Sequence, residues 1–328
     1  MPKILLCLLC LFLLYTPKDA GAAELDRPYS YQSQVRDLME LRFKYKKELT
    51  FRVIGTAHSG RKIWAVKLGK GEKNILLVGS HHGREWMTSM LLTKMLKTYT
   101  EAYAKGKPIG SFPSDLLNEV SIWFVPMLNP DGVTIQQKGY SEFPFWDKDK
   151  IIKMNNGSTD FTRWKANGIG VDLNRQYPAG WNKLDRTTPT PSYQFYKGKA
   201  PLEAHEVICL VKFVKEINPK IAGAYHTAGR EIFWNYHNGP NIKRDRAIAK
   251  KITKMTGYKL SKPVREAVGG GFTDWFITEY RRPAFTIEIS YLVGESHPPL
   301  SVFPEEWKRN RLVGMLLANE AYKWTWKK

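Results

Sequence analysis

Asn74-Ile75-Leu76-Leu77-Val78-Gly79-Ser80-His81-His82-Gly83-Arg84-Glu85-Trp86 is an apolar run that empties into a turn carrying two histidines and an acid. Residues 75–78 are apolar at every position rather than at alternate ones. Both faces of such a strand must therefore be covered, as in the centre of a sheet with helices on either side. Residues 122–125 read the same way. A helical pattern begins near Trp86, so the histidines and Glu85 stand at a strand-to-helix junction, where open α/β sheets place ligands. Far along the chain, Tyr225-His226-Thr227 ends a second apolar run. A His-x-x-Glu pair with one remote histidine is the donor set of a catalytic zinc site. Two nitrogens and a carboxylate fill three tetrahedral positions and leave the fourth to water, which zinc makes a source of hydroxide near neutral pH. A surface His/Glu cluster at a strand end is the plainer reading of the same residues. Spacing alone does not choose between His82 and His81 as the partner of Glu85.

Working outward, further strand patterns fall at 51–56, 62–68, 120–126, 221–226, 232–236 and 284–290, beside 74–80 itself. Helical patterns fall near 33–47, 86–105, 203–217, 241–256, 273–280 and 305–324. Their alternation, with no internal repeat, low-complexity stretch or linker, predicts one α/β domain with a mostly parallel or mixed sheet.

The N-terminus has the pattern of a secretory signal: Met1-Pro2-Lys3, an apolar run at 4–15, then Ala20-Gly21-Ala22. Twelve apolar residues are too few to span a bilayer, which takes about 20. The expected division is a signal at 1–23 and a catalytic domain at 24–328, in a protein secreted or associated with the cell wall and lacking a membrane span once processed. Cys7 and Cys10 leave with the signal, so Cys209 remains alone, in an apolar helical stretch. No intramolecular disulfide is then available, and roughly 305 residues must rest on their own core, which is ample. A buried position on a helix face is the expectation for Cys209. The formal charge of +20 favours polyanions. For an exported chain these are anionic wall polymers or membrane surfaces rather than nucleic acid; a basic surface serving solubility alone explains the scattered lysines and arginines equally well.

Four segments in order, 79–86, Asn129-Pro130-Asp131-Gly132, Gly170-Val171-Asp172-Leu173-Asn174-Arg175 and Phe285-Thr286-Ile287-Glu288, resemble the signature segments of the zinc carboxypeptidase family. The resemblance runs from about Tyr29 to the C-terminus. It implies an α/β/α sandwich around an eight-stranded twisted sheet. It also implies one zinc ion held by His82, Glu85 and His226, with His81 where the family has an apolar residue. Glu288 is then the general base that activates zinc-bound water and passes the proton to the departing amine. Asp172 orients His82, Asn174 and Arg175 bind the terminal carboxylate, and Arg84 either contacts the acyl side of the substrate or forms a structural salt bridge. An arginine fork suits a carboxylate as lysine does not. The start near Tyr29, already in family register, leads to the expectation of secretion in active form.

The departures from the family pattern carry information. Arg163-Trp164-Lys165 stands where the family has an arginine after a tryptophan for the oxyanion; Lys165 holds that register and Arg163 is the alternative. Thr273, in Gly269-Gly270-Gly271-Phe272-Thr273-Asp274-Trp275, occupies the pocket position that is apolar or acidic in familiar enzymes, and Glu266 replaces an expected capping tyrosine. The three glycines suggest a mobile loop. Residues 133–169 are longer than in the digestive enzymes, and Tyr140, Phe143, Phe145 and Trp146 either cover the cleft or pack the insertion. Glu203 and Glu206 read as structural acids at a helix start. Together these features look most like the bacterial branch that cleaves γ-D-glutamyl-diaminopimelate bonds in peptidoglycan stem peptides. The alternatives are a broad-specificity extracellular carboxypeptidase and a non-catalytic wall-binding relative.

Overall fold

The computed structural model describes residues 27–261 and 268–324. The signal pattern, Cys7, Cys10 and Glu266 lie outside them. Eight strands among these residues form one mixed sheet: β1 (Leu49–Thr56), β2 (Lys62–Leu68), β3 (Lys73–Val78), β4 (Val120–Val125), β5 (Ile221–Thr227), β6 (Glu231–Phe233), β7 (Lys259–Ser261) and β8 (Ala284–Ile289). Their order is β1-β2-β4-β3-β5-β8-β6-β7. The four central strands, β4, β3, β5 and β8, run parallel. β2 joins β4, and β6 joins β8, antiparallel.

The unbroken apolar run of β3 is explained by what lies on each face. Ile75 and Leu77 pack with α1 (Tyr31–Lys44), α2 (Met87–Ala104), α6 (Ile242–Thr256), α8 (Phe303–Asn310) and α9 (Val313–Lys323). Leu76 and Val78 pack with α5 (His205–Ile217) and α7 (Phe272–Tyr280). The result is the expected α/β/α layering, with all four side chains fully buried. Cys209 is buried on α5.

Several elements differ from the sequence expectation. α3 (Pro130–Lys138) and α4 (Lys148–Met154) were not among the expected helices. The start of α3 is nevertheless written in the chain: Asn129 Oδ1 accepts the Gly132 N–H at 2.8 Å and Pro130 sits in the first turn. The pattern at 305–324 is split between α8 and α9, where Leu312 docks against the turn at Gly110. β7 has three residues, too few to show a period.

The insertion builds a small separate core from Ile135, Ile151, Phe161, Trp164 and Ala166, joined by Tyr193 from a later loop. Tyr140 packs edge-on to Phe161, and Phe143 lies under the Arg61 guanidinium at 4.7 Å. Phe145 and Trp146 point into solvent, 85% and 72% exposed. Trp146 borders a groove of about 960 Å³ with Tyr31 and Trp64, and none of the expected zinc ligands lines it. Tyr140 and Phe143 therefore pack with the insertion, whereas Phe145 and Trp146 stay outside its core.

Candidate metal centre and its cleft

β3 ends at Val78 and the chain turns at Ser80, whose φ of +46° is left-handed. The Ser80 N–H donates to Thr88 Oγ1 at 2.8 Å, which ties this turn to the start of α2. His82 then caps a single 3-10 turn, Gly83–Glu85. Three residues make one turn of such a helix, so positions three apart eclipse and His82 and Glu85 share a side. Gly83 is required here, because a Cβ would run into the Gly132 carbonyl. β5 lies beside β3, and His226 stands two residues beyond the last paired position, Val78 with Ala224. His226 therefore reaches the same end of the sheet as the turn.

These three side chains converge. His82 Nδ1 lies 2.8 Å from Glu85 Oε1, and His226 Nδ1 lies 2.9 Å from Glu85 Oε2 and 3.2 Å from His82 Nδ1. All three residues are buried, and the donor atoms lie within 4.8 Å of one another. The other nitrogen of His82, Nε2, meets Asp172 Oδ1 at 3.1 Å. In the neutral tautomer that is protonated at Nε2, towards the Asp172 carboxylate, Nδ1 presents a lone pair. Lone pairs on Nδ1 and on the Glu85 oxygens thus face one another across a buried pocket. That arrangement fits a cation such as zinc, whose ligands are neutral imidazole and carboxylate. Burial pushes the Glu85 carboxyl up, but His82 and His226 together outweigh it and hold Glu85 well below the usual carboxylate range. Burial, the largest influence on His226, lowers its pKa and favours the neutral ring.

His81 takes the opposite direction from His82. It is fully buried, stacks on His226 with ring centroids 5.2 Å apart and meets Tyr177 OH through Nε2 at 3.1 Å. Its role is packing behind the donor set. Burial and then the neighbouring histidines keep its pKa well below that of a free imidazole.

Glu288 is the cross-strand partner of His226 on β8, so both side chains rise from one face of the sheet. Burial, followed by the charge of Glu85, pushes its pKa well above the carboxylate range, and Glu231 on β6 adds to this. A dication in the pocket acts in the opposite sense.

Asp172 is the hub of the cationic wall. Its Oδ1 also accepts the Asn174 N–H at 3.1 Å, while Oδ2 pairs with Lys165 Nζ at 3.1 Å. Burial, then Arg175 and Arg84, lower the Lys165 pKa against the opposing pull of Asp172. Arg163 turns elsewhere: its guanidinium lies over the Tyr193 ring at 4.0 Å and donates to Asn155 O at 3.3 Å. Of the two cations flanking Trp164, Lys165 is the one at the donor set. Arg84 donates to the Arg163 carbonyl at 3.0 Å. Arg175 is buried with its guanidinium 5.3 Å from the Phe195 ring centre, and Asn174 Oδ1 caps α7 by accepting the Phe272 N–H at 3.0 Å.

Thr273 on α7 hydrogen bonds Thr286 on β8, Oγ1 to Oγ1 at 2.7 Å, which makes a polar pair two residues before Glu288. The glycine loop beside it is stitched rather than loose. Gly269 N–H donates to Asp274 Oδ2 at 2.7 Å and Gly270 N–H to Ala179 O at 2.6 Å, while Gly270 O accepts from Tyr177. With φ of +66° and Leu184 and the Arg175 backbone close by, position 270 admits only glycine without strain. Glu203 Oε2 accepts the Lys199 N–H at 2.6 Å, and buried Glu206 accepts from Asn167 at 3.1 Å, so both acids support backbone leading to the site. Phe195, which contacts Asp172, Gln194, which contacts Arg84, and Glu295, which contacts Gln194, carry no sequence signal; they sit in loops without period or motif. Gln194 donates to Glu295 Oε1 at 2.7 Å, which fastens the segment after β8 over the Arg84 side.

The profile of the zinc carboxypeptidase family matches residues 35–312. Gamma-D-glutamyl-L-diamino acid endopeptidase 1 of Lysinibacillus sphaericus is 32% identical over 293 residues, covering 88% of this chain and 72% of that protein. The uncharacterized protein YqgT of Bacillus subtilis (strain 168) is 36% identical over 255 residues; the match covers 76% of this chain and 66% of that protein, just under two-thirds of its length. Among solved structures, carboxypeptidase A from Helicoverpa armigera superposes with a TM-score of 0.68 at 19% identity, covering 91% of this chain and 74% of that one, a likeness of fold. No helix of the described residues is long and apolar enough to cross a membrane. Matched over most of its length and carrying a buried His-Glu-His donor set at the end of its central strands, the chain belongs to the zinc carboxypeptidase family of metallopeptidases.

Proposed function

We propose that this protein is an exported zinc peptidase that hydrolyses the γ-D-glutamyl-diaminopimelate bond of peptidoglycan stem peptides. The observation that carries the hydrolytic reading is the convergence of His82 Nδ1, His226 Nδ1 and Glu85, with Glu288 one strand over on the same face. His82, Glu85 and His226 hold one zinc ion, which when bound supplies a Lewis acid that polarises the carbonyl and makes water nucleophilic. Glu288 takes a proton from the attacking water and delivers it to the leaving nitrogen; its desolvated carboxylate suits that task. Asp172 fixes the His82 tautomer. Lys165 Nζ has three N–H groups and gives one to Asp172. The others stabilise the oxyanion that develops on the carbonyl.

The substrate class is supported by the name of the Lysinibacillus sphaericus relative and by the charge of the cleft. A γ-linked glutamyl residue keeps its α-carboxylate free on the acyl side, and the diamino acid carries carboxylate on the leaving side. Arg84 suits the first; Asn174 and Arg175 suit the second, with Thr273 in the side-chain pocket. Export rests on the pattern at 1–23, and wall polymers are a reasonable partner for the net charge of +20.

Incubation of the zinc-loaded protein with γ-D-glutamyl-diaminopimelate peptides and with ordinary α-linked peptides tests the assignment. Preferred release of diaminopimelate is the expected result. Preferred trimming of α-linked C-terminal residues points to the broad carboxypeptidase instead, and no turnover on either leaves a binding protein. Lys165→Ala should lower kcat roughly 100- to 1,000-fold, the usual effect of losing one oxyanion donor, with a smaller change in KM. Arg163→Ala, turned away from the donor set, should retain most activity. An effect of Lys165→Ala on KM alone would remove it from the oxyanion role.

A further inference from the structure

Arg84 is oriented by side chains from two other segments. The Gly83 N–H donates to the Lys165 carbonyl at 3.0 Å, so the Arg84 side chain starts beside the lysine at the donor set. Its Nη1 donates to the Arg163 carbonyl at 3.0 Å and to Gln194 Oε1 at 3.4 Å. Both acceptors are neutral, and they orient the guanidinium without cancelling its charge. Gln194 in turn donates from Nε2 to Glu295 Oε1 at 2.7 Å and to Tyr193 OH at 2.9 Å. The Tyr193 hydroxyl donates to Glu295 Oε2 at 3.4 Å. The segment that brings Glu295 is anchored again two residues on. There the His297 ring stacks on Trp86, centroids 3.5 Å apart and planes 10° from parallel. Trp86 directly follows Glu85, so this strap is tied to the turn that carries two of the metal donors.

A side-chain amide has a donor end and an acceptor end, and a hydroxyl such as that of Tyr193 can serve either. Glu295 is the member of the relay that imposes a direction. Burial raises its pKa, but the Gln194 hydrogen bond and then Arg84 outweigh this and keep it below the usual carboxylate range, ionised at neutral pH. An ionised carboxylate accepts from the amide nitrogen, which leaves Gln194 Oε1 turned to Arg84. An acid in place of Gln194 would pair with Arg84 and compete with an anionic ligand; the amide keeps the acid one residue behind. We propose that Glu295 is a positioning residue that, through Gln194, presents Arg84 to the α-carboxylate of the γ-linked glutamyl residue on the acyl side. The inference rests on the reading of Arg84 and of the γ-glutamyl substrate given above. It adds how an acid set behind a neutral amide aims a cation at an anion.

Calorimetric titration of the zinc-loaded protein with two acyl-side fragments tests this without requiring turnover. L-alanyl-D-glutamate and L-alanyl-D-isoglutamine differ only in carrying an α-carboxylate or an α-carboxamide. The wild-type protein should bind the carboxylate roughly 10- to 100-fold more tightly, the range for one charge-assisted hydrogen-bonded contact. Arg84→Gln should bring that ratio to about one. Glu295→Lys can only donate and turns the amide nitrogen to Arg84, so it should lower the ratio roughly 2- to 10-fold, the worth of one hydrogen bond. By charge alone the added cation would raise it. Glu295→Gln still offers an acceptor and should keep most of the ratio, whereas Gln194→Glu should bring it to about one. A ratio unchanged or raised in Glu295→Lys, a ratio kept in Gln194→Glu, or equal weakening of both fragments would overturn the proposal. A wild-type ratio of one, or a ratio kept by Arg84→Gln, overturns the reading of Arg84 together with it. A failure of the peptidase reading looks different: γ-glutamyl peptides remain uncleaved while the ratio, and its fall in Glu295→Lys, persist, which supports the positioning role by itself.

Discussion

Glu288→Gln should retain stoichiometric zinc and lose roughly 100- to 10,000-fold in kcat, the range for removal of a positioned acid-base group. The substitution keeps size and shape and removes only the capacity to take a proton. Glu288 is not among the donors around the metal pocket; it stands across the strand pair from His226. Metal content should therefore be indifferent to the change. The cost of Glu288 in the empty pocket, set by its burial and by the Glu85 and Glu231 charges, also disappears in the variant. Thermal stability of the metal-free protein should accordingly stay level or rise. Metal analysis beside single-turnover kinetics checks both halves. Loss of zinc together with activity would make Glu288 a ligand, and near-normal turnover would remove it as the base.

His226→Ala should lose the metal. Removing an outer hydrogen-bond partner of a ligand already costs roughly 10- to 100-fold in affinity, and deleting one of three donors should cost more. The variant also leaves Glu85 Oε2 without its 2.9 Å partner in a buried pocket, so stability should fall as well. Added zinc should raise the melting temperature of the wild-type protein, as any ligand of the native state does, and should leave His226→Ala unmoved. His81→Ala is the informative companion. It removes a buried ring that stacks on His226 but presents no atom to the donor cluster. Stability should fall while stoichiometric zinc remains. Zinc retained by His226→Ala and lost by His81→Ala would reverse the ligand assignment.

The two neighbouring histidines also mark where the sequence stops being sufficient. As a string, His81 and His82 are equally good partners for Glu85. The single 3-10 turn separates them, because it eclipses His82 with Glu85 and sends the adjacent side chain back beneath His226. Lys165 and Arg163 pose the same problem on either side of Trp164. With Trp164 buried in the insertion's small core, the two cations are fastened on different sides, one to Asp172 and the other over Tyr193. The glycine loop read as mobile from its composition, yet its hydrogen bonds go to Ala179, Tyr177 and Asp274, partners that no local rule identifies.

What the chain determines alone is whatever depends on local period or fixed spacing. Continuous apolar runs demand covered strands, the His-x-x-Glu step is short enough to be set by one turn, and the ordered segments announce the family. What tertiary structure alone decides is which distant atoms face each other. His226 reaches the pocket only because β5 is laid beside β3, and Glu288 only because β8 is laid beside β5. Glu295 reaches the Arg84 side only once Gln194 and Trp86 hold the segment after β8 against the turn that follows β3. The physical reason is that strand neighbours and ring contacts are chosen by burial summed over the whole core, a quantity that no window of sequence contains.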